Sequence, residues 1–426
     1  MLQVSRIRNS RKLVEDGLKK RGWKEEDLII LDQIIEADNY RKKVQTSNDQ
    51  LLAERNKLSK EIGQLFKEGK TDEAQSAKTR VESLKEEIAD NEKALADFKE
   101  SIIQLLYRVP NIPHGKVPAG LSESDNQVIK AWEGALPTLD TQAQPHWELG
   151  KQYGILDFES GVKITGAGFP VLRGKGAQLQ RALINFFLDE ARQAGYEEIV
   201  PPHLVNERSG IGTGSLPDKE GQMYYIEKDD LYLIPTAEVP VTNLLRDEMV
   251  KENDFPFRYC AYTPCFRREA GSYGADVKGL NRVHQFDKVE IVQIAHPDRS
   301  HEVLDEMVSY VEQLLSKLEL PYRILRLCGG DLTFASALTY DFEVYSAAQE
   351  RWLEVSSVSN FESFQTNRLN LRFKDELGKR RLAHTLNGSA LALARIIAAL
   401  LENNQNAEGV RLPEVLQKYT GFELIN

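Results

Sequence analysis

Between Phe266 and Glu290 the chain reads FRREAGSYGADVKGLNRVHQFDKVE. Arg267 and Arg268 carry fixed charge and offer planar pairs of N–H donors, which suit phosphate and carboxylate oxygens. Glu269 can accept from an exocyclic amine, and Phe286 offers a face for an aromatic base. Two strand-like ends, CFRREA and RVHQFDKVEIVQI, flank a middle rich in Gly and polar residues, so the spacing predicts a hairpin. Arg267 alternates with Phe266 and Arg268, which places it on the opposite sheet face from both and on the same face as Glu269. Singly, each residue reads as a surface charge or a core aromatic. Together on one hairpin they suit a nucleoside triphosphate held by arginine and stacking.

A second constellation is HTLNGSALALARIIAALLEN, residues 384–403. It reads as a small polar turn, NGS, leading into a helix that carries Arg395 on an otherwise apolar stretch. A helix start attracts anions through its free N–H groups. A lone arginine in a buried helix is costly without a partner, and a phosphate would be one. The helix AQLQRALINFFLDEARQAG, closing in GYEEIVPPHLV, reads as packing, in a core or between subunits.

These residues need a scaffold, and the chain divides into three parts. Residues 1–106 predict two long helices. In the first, Leu51, Arg55, Leu58, Ile62 and Leu65 recur at steps of four and three. In the second, Ala74, Ala77, Val81, Leu84, Ile88, Asn91, Leu95, Phe98, Ile102 and Leu105 step 3-4-3-4 throughout, a coiled-coil seam. Between them KEGKTDE places Gly69 at a helix C′ position and Thr71 at an N-cap. So short a turn forces an antiparallel hairpin. Residues 107–120, with Pro110, Pro113 and Pro118, form a linker that no helix or central strand crosses. Residues 121–426 mix β-rich runs (YYIEKDDLYLIPT, RVHQFDKVEIVQI, RWLEVSSV) with helices and carry no GxGxxG or P-loop. The fold class is therefore α+β, a two-helix coiled-coil arm plus a domain with a mainly antiparallel sheet flanked by helices.

The chain has 426 residues and a formal charge of −10, a poor global footprint for nucleic acid that still leaves room for local basic faces. Cys260, Cys265 and Cys328 form no CxxC pair, which argues against a disulfide framework or thiolate zinc site. The N-terminus carries no apolar signal region, and LALARIIAALL is too short to span a bilayer. A cytoplasmic protein without a membrane partner is expected.

The FRxE hairpin, the GLxRxHQF closure and the NGSALAxAR helix resemble motifs two and three of class II aminoacyl-tRNA synthetases. The whole chain resembles the bacterial-type seryl-tRNA synthetases, supported by HWELG at 146–150, GTGSLP at 212–217, PTAE at 235–238, TYDFEVY at 339–345 and EVSSVSN at 354–360. The resemblance implies serine activation by ATP and transfer to tRNA(Ser), and to tRNA(Sec) where present. It implies a serine site of Thr236, Ala237, Glu238, Glu290, Ser389 and Thr385, with Glu238 at the amino group and Glu290 at the hydroxyl. The implied ATP site comprises Arg267, Arg268, Glu269, Val283, Phe286, Glu354, Val355, Ser356, Ser357 and Arg395. Of these, Glu354 and Ser357 would hold Mg²⁺. Arg267 would span the serine carboxylate and the α-phosphate, and Arg395 would meet the γ-phosphate end; these two are the expected catalytic groups. A homodimer formed through motif one, and an arm that grips the tRNA, are implied as well.

Departures from the family pattern are Asn367 for the first arginine of QxRR, Tyr345 for Trp and Val358 for Cys. Two other readings stay open on the residues: an adenylate-forming amino acid:carrier-protein ligase, and a catalytically dead coiled-coil scaffold.

Overall fold

Charged faces with a single apolar seam have one favourable arrangement, seam against seam. The computed structural model, which describes residues 1–139, 143–217, 221–269 and 278–426, shows that arrangement in the N-terminal unit, residues 2–19 and 23–110. Helix α1 (Ile29–Lys67) and helix α2 (Thr71–Leu106) have 39 and 36 residues, or roughly 55–60 Å each. Ala74, Leu84, Ile88, Leu95 and Ile102 are buried, and the other expected seam residues of α2 are half-buried. Cross-helix pairs fix the antiparallel register. Tyr40 stacks on Phe98 at 6.0 Å, Asn91 Nδ2 donates to Ser47 Oγ at 3.4 Å, and Arg80 pairs with Glu54 at 2.9 Å. Gly69 adopts φ +73° at the turn, as expected. Thr71 is not the cap. Lys70 holds that position without a side-chain cap bond, Thr71 is the first helical residue, and its hydroxyl turns back to Gly69 O at 3.4 Å.

The second unit comprises Met1, residues 20–22 and residues 111–426. The expected linker is thus divided at Asn111. That residue is buried, and its amide donates to Ala335 O at 2.9 Å and Phe361 O at 2.8 Å. Its prolines keep the segment irregular while its polar atoms are satisfied from within the second unit.

The central sheet uses β1 (Gln127–Lys130), β2 (Glu197–Glu198), β3 (Phe257–Phe266), β4 (Gln285–Ala295), β5 (Tyr322–Arg326), β6 (Leu338–Ser346), β7 (Arg351–Glu362) and β8 (His384–Ala392). Their spatial order is β1-β5-β6-β7-β8-β4-β3-β2. Neighbours are antiparallel, except that β2 pairs parallel with β3. Alternation assigns the two faces. Val289 and Ile291 join the main core with helices α3 (Lys175–Gln193), α4 (Ser300–Lys317) and α5 (Leu393–Asn403). Glu290 and Val292 point the other way, and Val292 packs on Ala237 and Val241. That second face carries the polar residues.

The motif-two hairpin forms with Gln285 opposite Phe266; its middle, residues 270–277, lies outside the described residues. The NGS segment is not a turn. Asn387, Gly388 and Ser389 lie inside β8, and the helix starts only at Leu393. At Gly388 a Cβ would sit 3.1 Å from a Val358 methyl, tighter than ordinary contact, so glycine packs there without displacing it, while Asn387 and Ser389 lie on the polar face. The Val that replaces Cys at 358 fills this contact. Among the described residues, no helix is long and apolar enough to cross a membrane.

Candidate active site

The PTAE loop is docked at two points. Thr236 Oγ1 donates to Glu290 Oε2 at 2.9 Å, and Arg267 Nε donates to Pro235 O at 3.3 Å. The loop then enters a short helix, Glu238–Thr242, with Glu238 at its first position. Glu238 accepts from Gln365 Nε2 at 2.7 Å and from Asn387 Nδ2 at 2.8 Å. Asn387 Nδ2 also reaches Glu290 Oε1 at 3.2 Å, so one amide joins both carboxylates. Lys288 Nζ lies 2.6 Å from Glu290 Oε2, with both side chains buried. Burial, then the charge of Glu290, pushes Glu238 up to about 7, against the opposing pull of Gln365, Lys288 and Arg267.

The expected serine-site residues therefore converge. The Thr385 hydroxyl donates to Gln365 Oε1 at 2.6 Å and so orients the amide that meets Glu238. Ala237 is wholly buried among Val241, Ala261 and Val292, which leaves its backbone alone for a ligand. Ser389 is directly across from Glu290 on β8. Glu290 already accepts from Thr236, Lys288 and Asn387, which leaves about one of a carboxylate's four lone-pair directions. Lys288, Gln365 and Asn387 were missed. Lys288 had a signal, since it shares the face of Glu290 two residues away, but Gln365 and Asn387 are remote from Glu238 in sequence.

Just past β3, the Arg267 guanidinium lies 5.3 Å above the ring of Phe286 on β4, so the two expected contacts touch one another. Arg268 leans on the Tyr224 ring at 4.6 Å and donates to Met223 O at 3.2 Å. Strand alternation does not extend to Glu269. Strand β3 ends at Phe266, Glu269 has φ +49°, and its carboxylate pairs with Arg282 at 2.6 Å. Val283 is buried. Val355 packs in the main core, and Ser356 Oγ donates to Ser389 O at 2.6 Å, so only their backbones remain for a nucleotide. Arg395 stands in the first turn of α5. Its Nε donates to Asn281 O at 3.0 Å and a terminal nitrogen to Glu354 O at 2.6 Å.

Glu354 is half exposed and lies 3.8 Å from Arg395. Asp341 is opposite Ser357 across β6 and β7. Its Oδ1 is buried without a partner, and burial together with Glu354 raises its pKa well above the carboxylate range. This is an all-oxygen set. A carboxylate and a hydroxyl from the protein, completed by phosphates and water, suit Mg²⁺; among the described residues no group of three His, Cys, Asp or Glu could enclose a metal by itself. Among the departures, Asn367 donates to Met1 O at 3.0 Å, Arg368 donates to Ile211 O and Leu216 O, and Tyr345 packs edge-on to Trp352.

The raised Glu238 has a measurable consequence. The folded protein binds its proton more tightly than the unfolded chain does. Its contribution to stability is therefore full below the ordinary carboxylate pKa and lost as pH rises through about 7. In Glu238→Gln, the fall in Tm between about pH 5 and about pH 8, followed by differential scanning fluorimetry, should be smaller than in the parent by about 2 °C or more.

The chain is similar to known proteins along its whole length. The family model described as the tRNA synthetase class II core domain (G, H, P, S and T) matches residues 224–404, and the seryl-tRNA synthetase N-terminal domain matches residues 1–113. The chain is 49% identical over 427 residues to the serine–tRNA ligase of Salinibacter ruber, covering 100% of this chain and 99% of that protein. It is 46% identical to that of Thermotoga neapolitana, covering 100% of both. Among solved structures it resembles the seryl-tRNA synthetase of Pyrococcus horikoshii complexed with ATP, with a TM-score of 0.92, 36% identity, and coverage of 100% and 99%. It also resembles the cytoplasmic serine–tRNA ligase of Naegleria fowleri in complex with AMP, with a TM-score of 0.87, 26% identity, and the same coverage. On a full-length relative of 49% identity, with both family models matched, the chain belongs to the seryl-tRNA synthetase family of class II aminoacyl-tRNA synthetases.

Proposed function

We infer that the protein activates L-serine with ATP and transfers the seryl group to the 3′ end of tRNA(Ser), and to tRNA(Sec) where that tRNA exists. The observation that carries this reading is the acidic, hydroxyl-lined cup of Thr236, Glu238 and Glu290, tied through Pro235 O to Arg267. An α-amino acid fits that charge layout. Its ammonium meets Glu238, its hydroxyl takes the remaining lone-pair direction of Glu290, and its carboxylate faces Arg267. Thr385 acts through Gln365, and Ser389 borders the pocket beside Glu290.

The serine carboxylate is already a nucleophile, so activation requires no general base. Its oxygen bonds to the α-phosphorus as the bond to the bridging oxygen breaks, giving seryl-adenylate and pyrophosphate. The protein has to hold two anions side by side and meet the charge that develops. Arg267 bridges them, Phe286 stacks on the adenine, Glu269 accepts from its amino group, and Arg268 contacts the phosphates. Val283 and the backbones of Val355 and Ser356 line the nucleotide. Arg395 draws on the departing pyrophosphate. Glu354 and Ser357 would hold Mg²⁺, which supplies charge neutralisation across the phosphate oxygens. The α1–α2 arm binds the tRNA, the subunits pair as a homodimer through the motif-one helix α3, and the protein works in the cytoplasm. The carrier-protein ligase reading does not account for the arm. A dead scaffold would not keep Arg267, Glu269, Glu354 and Arg395.

Two measurements test this. In Glu290→Ala, serine-dependent pyrophosphate exchange should fall by about 10²-fold or more in kcat/KM for serine while ATP affinity stays near that of the parent. Exchange at the parental rate would remove Glu290 from the serine site. Asn91 and Ser47 touch across the arm, so replacing residues 47–91 with a short glycine turn shortens it cleanly. The shortened protein should keep pyrophosphate exchange within about two-fold and lose tRNA charging by about 10²-fold. Equal loss of both would make the arm purely structural.

A further inference from the structure

HWELG opens a short helix, His146–Gln152, and none of the roles above uses it. His146 is wholly buried, and Nδ1 lies 2.6 Å from Glu402 Oε1, itself wholly buried. Its Nε2 is 2.7 Å from the backbone nitrogen of Leu280. A backbone N–H can only donate, so Nε2 carries a lone pair and the ring proton is on Nδ1. The imidazole is thereby fixed as one neutral tautomer, a donor at one end and an acceptor at the other. The chain passes so close that a Cβ at Gly279 would lie 2.1 Å from Nε2.

Glu402 is a carboxylate held by hydrogen bonds alone. Besides both groups of His146, Ser346 Oγ and Gln349 Nε2 donate to it, the latter at 2.9 Å. Burying a carboxylate is expensive, and an apolar side chain would pack the same space at lower cost. Its donors lead back to the site. Gln349, in the turn between β6 and β7, accepts from Asn281 Nδ2 at 2.9 Å. Asn281 O accepts from Arg395 Nε at 3.0 Å. Arg395 and Glu402 are both on α5, seven residues apart, which puts them on the same face about two turns from each other. The bonds therefore close a circuit through Glu402, Gln349, Asn281 and Arg395, and His146 clamps the residue next to Asn281.

We propose that this buried circuit positions Arg395: His146, Glu402 and Gln349 fix Asn281, and its carbonyl holds the guanidinium at the phosphate end of the site before ATP arrives. The inference rests on the pyrophosphate role given to Arg395 above. Two N–H directions of the guanidinium are committed to the carbonyls of Asn281 and Glu354. The remaining donors are left pre-aimed, so no reorganisation is needed as charge develops on the leaving group. His146, Glu402 and Gln349 are positioning residues and touch no substrate.

The test is a double-mutant cycle in the full-length protein, read by serine-dependent pyrophosphate exchange. Gln349→Ala should lower kcat by about ten-fold, with the serine KM unchanged and Tm within about 3 °C of the parent. Asn281→Ala keeps the carbonyl that Arg395 uses but removes the amide that anchors it. It should behave the same way, and it serves if Gln349→Ala fails to fold. In an Arg395→Ala background, either substitution should cost less than about two-fold. The same loss in both backgrounds, or no loss in the parent, would overturn the positioning role while leaving Arg395 in place. Exchange unaffected by Arg395→Ala alone would overturn the role of Arg395, and this inference with it.

Discussion

Two carboxylates that repel one another share one small space, and the arrangement of the polar sheet face follows from that. Glu238 and Glu290 are bridged by the amide of Asn387, and a single buried ammonium, Lys288, lies on the Glu290 side. Burial first, and then the nearby charge of Glu290, raise the proton affinity of Glu238. A ligand that brings its own positive charge relieves it. An amino acid brings an ammonium to that end and a carboxylate to the other, where Arg267 stands. In the proposed serine site, selection for a hydroxyl would follow from the same crowding, because Glu290 has nearly all its directions filled and a ligand without a donor would leave the last one unmet.

The antiparallel sheet makes this possible because adjacent strands present opposed residues to a common face. Glu290 meets Ser389, and Asp341 meets Ser357, through register alone. Gly388 removes a side chain from the packed face of β8, so that its neighbours can serve the polar one. Helix α5 follows β8 directly and carries Arg395 in its first turn. The arginines thus stand at element ends, Arg267 just past β3 and Arg395 in the first turn of α5. This order of elements lets two anions be held in line.

Much of this was legible in the linear chain, and what was not has physical causes. The arm could be read because a heptad seam is a local pattern, and Asn91 and Phe98 took their places on it. The motif-two hairpin could be read because its strands are rich in β-branched and aromatic residues. Thr71 was misjudged as a cap because the helix starts one residue earlier than a cap at Thr71 requires: Lys70 holds the N-cap position and the Thr71 hydroxyl faces Gly69. NGS looked like a turn because Gly and Asn favour turns, whereas close packing against Val358 asked for Gly inside a strand. Alternation failed at Glu269 because the strand had ended three residues earlier. The hydrogen-bonded partners Gln365, Asn387 and Glu402 answer residues more than one hundred positions away, and no local periodicity encodes such pairs.

The central claim is that fixed positive groups let two mutually repelling substrates lie side by side above a pair of carboxylates. A crystal structure of the protein with serine and a non-hydrolysable ATP analogue tests it most directly. The account predicts the serine ammonium at Glu238, its hydroxyl at Glu290, the α-phosphate against Arg267 and the γ-phosphate end against Arg395. A triphosphate bound away from both guanidinium groups, or a serine turned with its carboxylate toward Glu238, would contradict it.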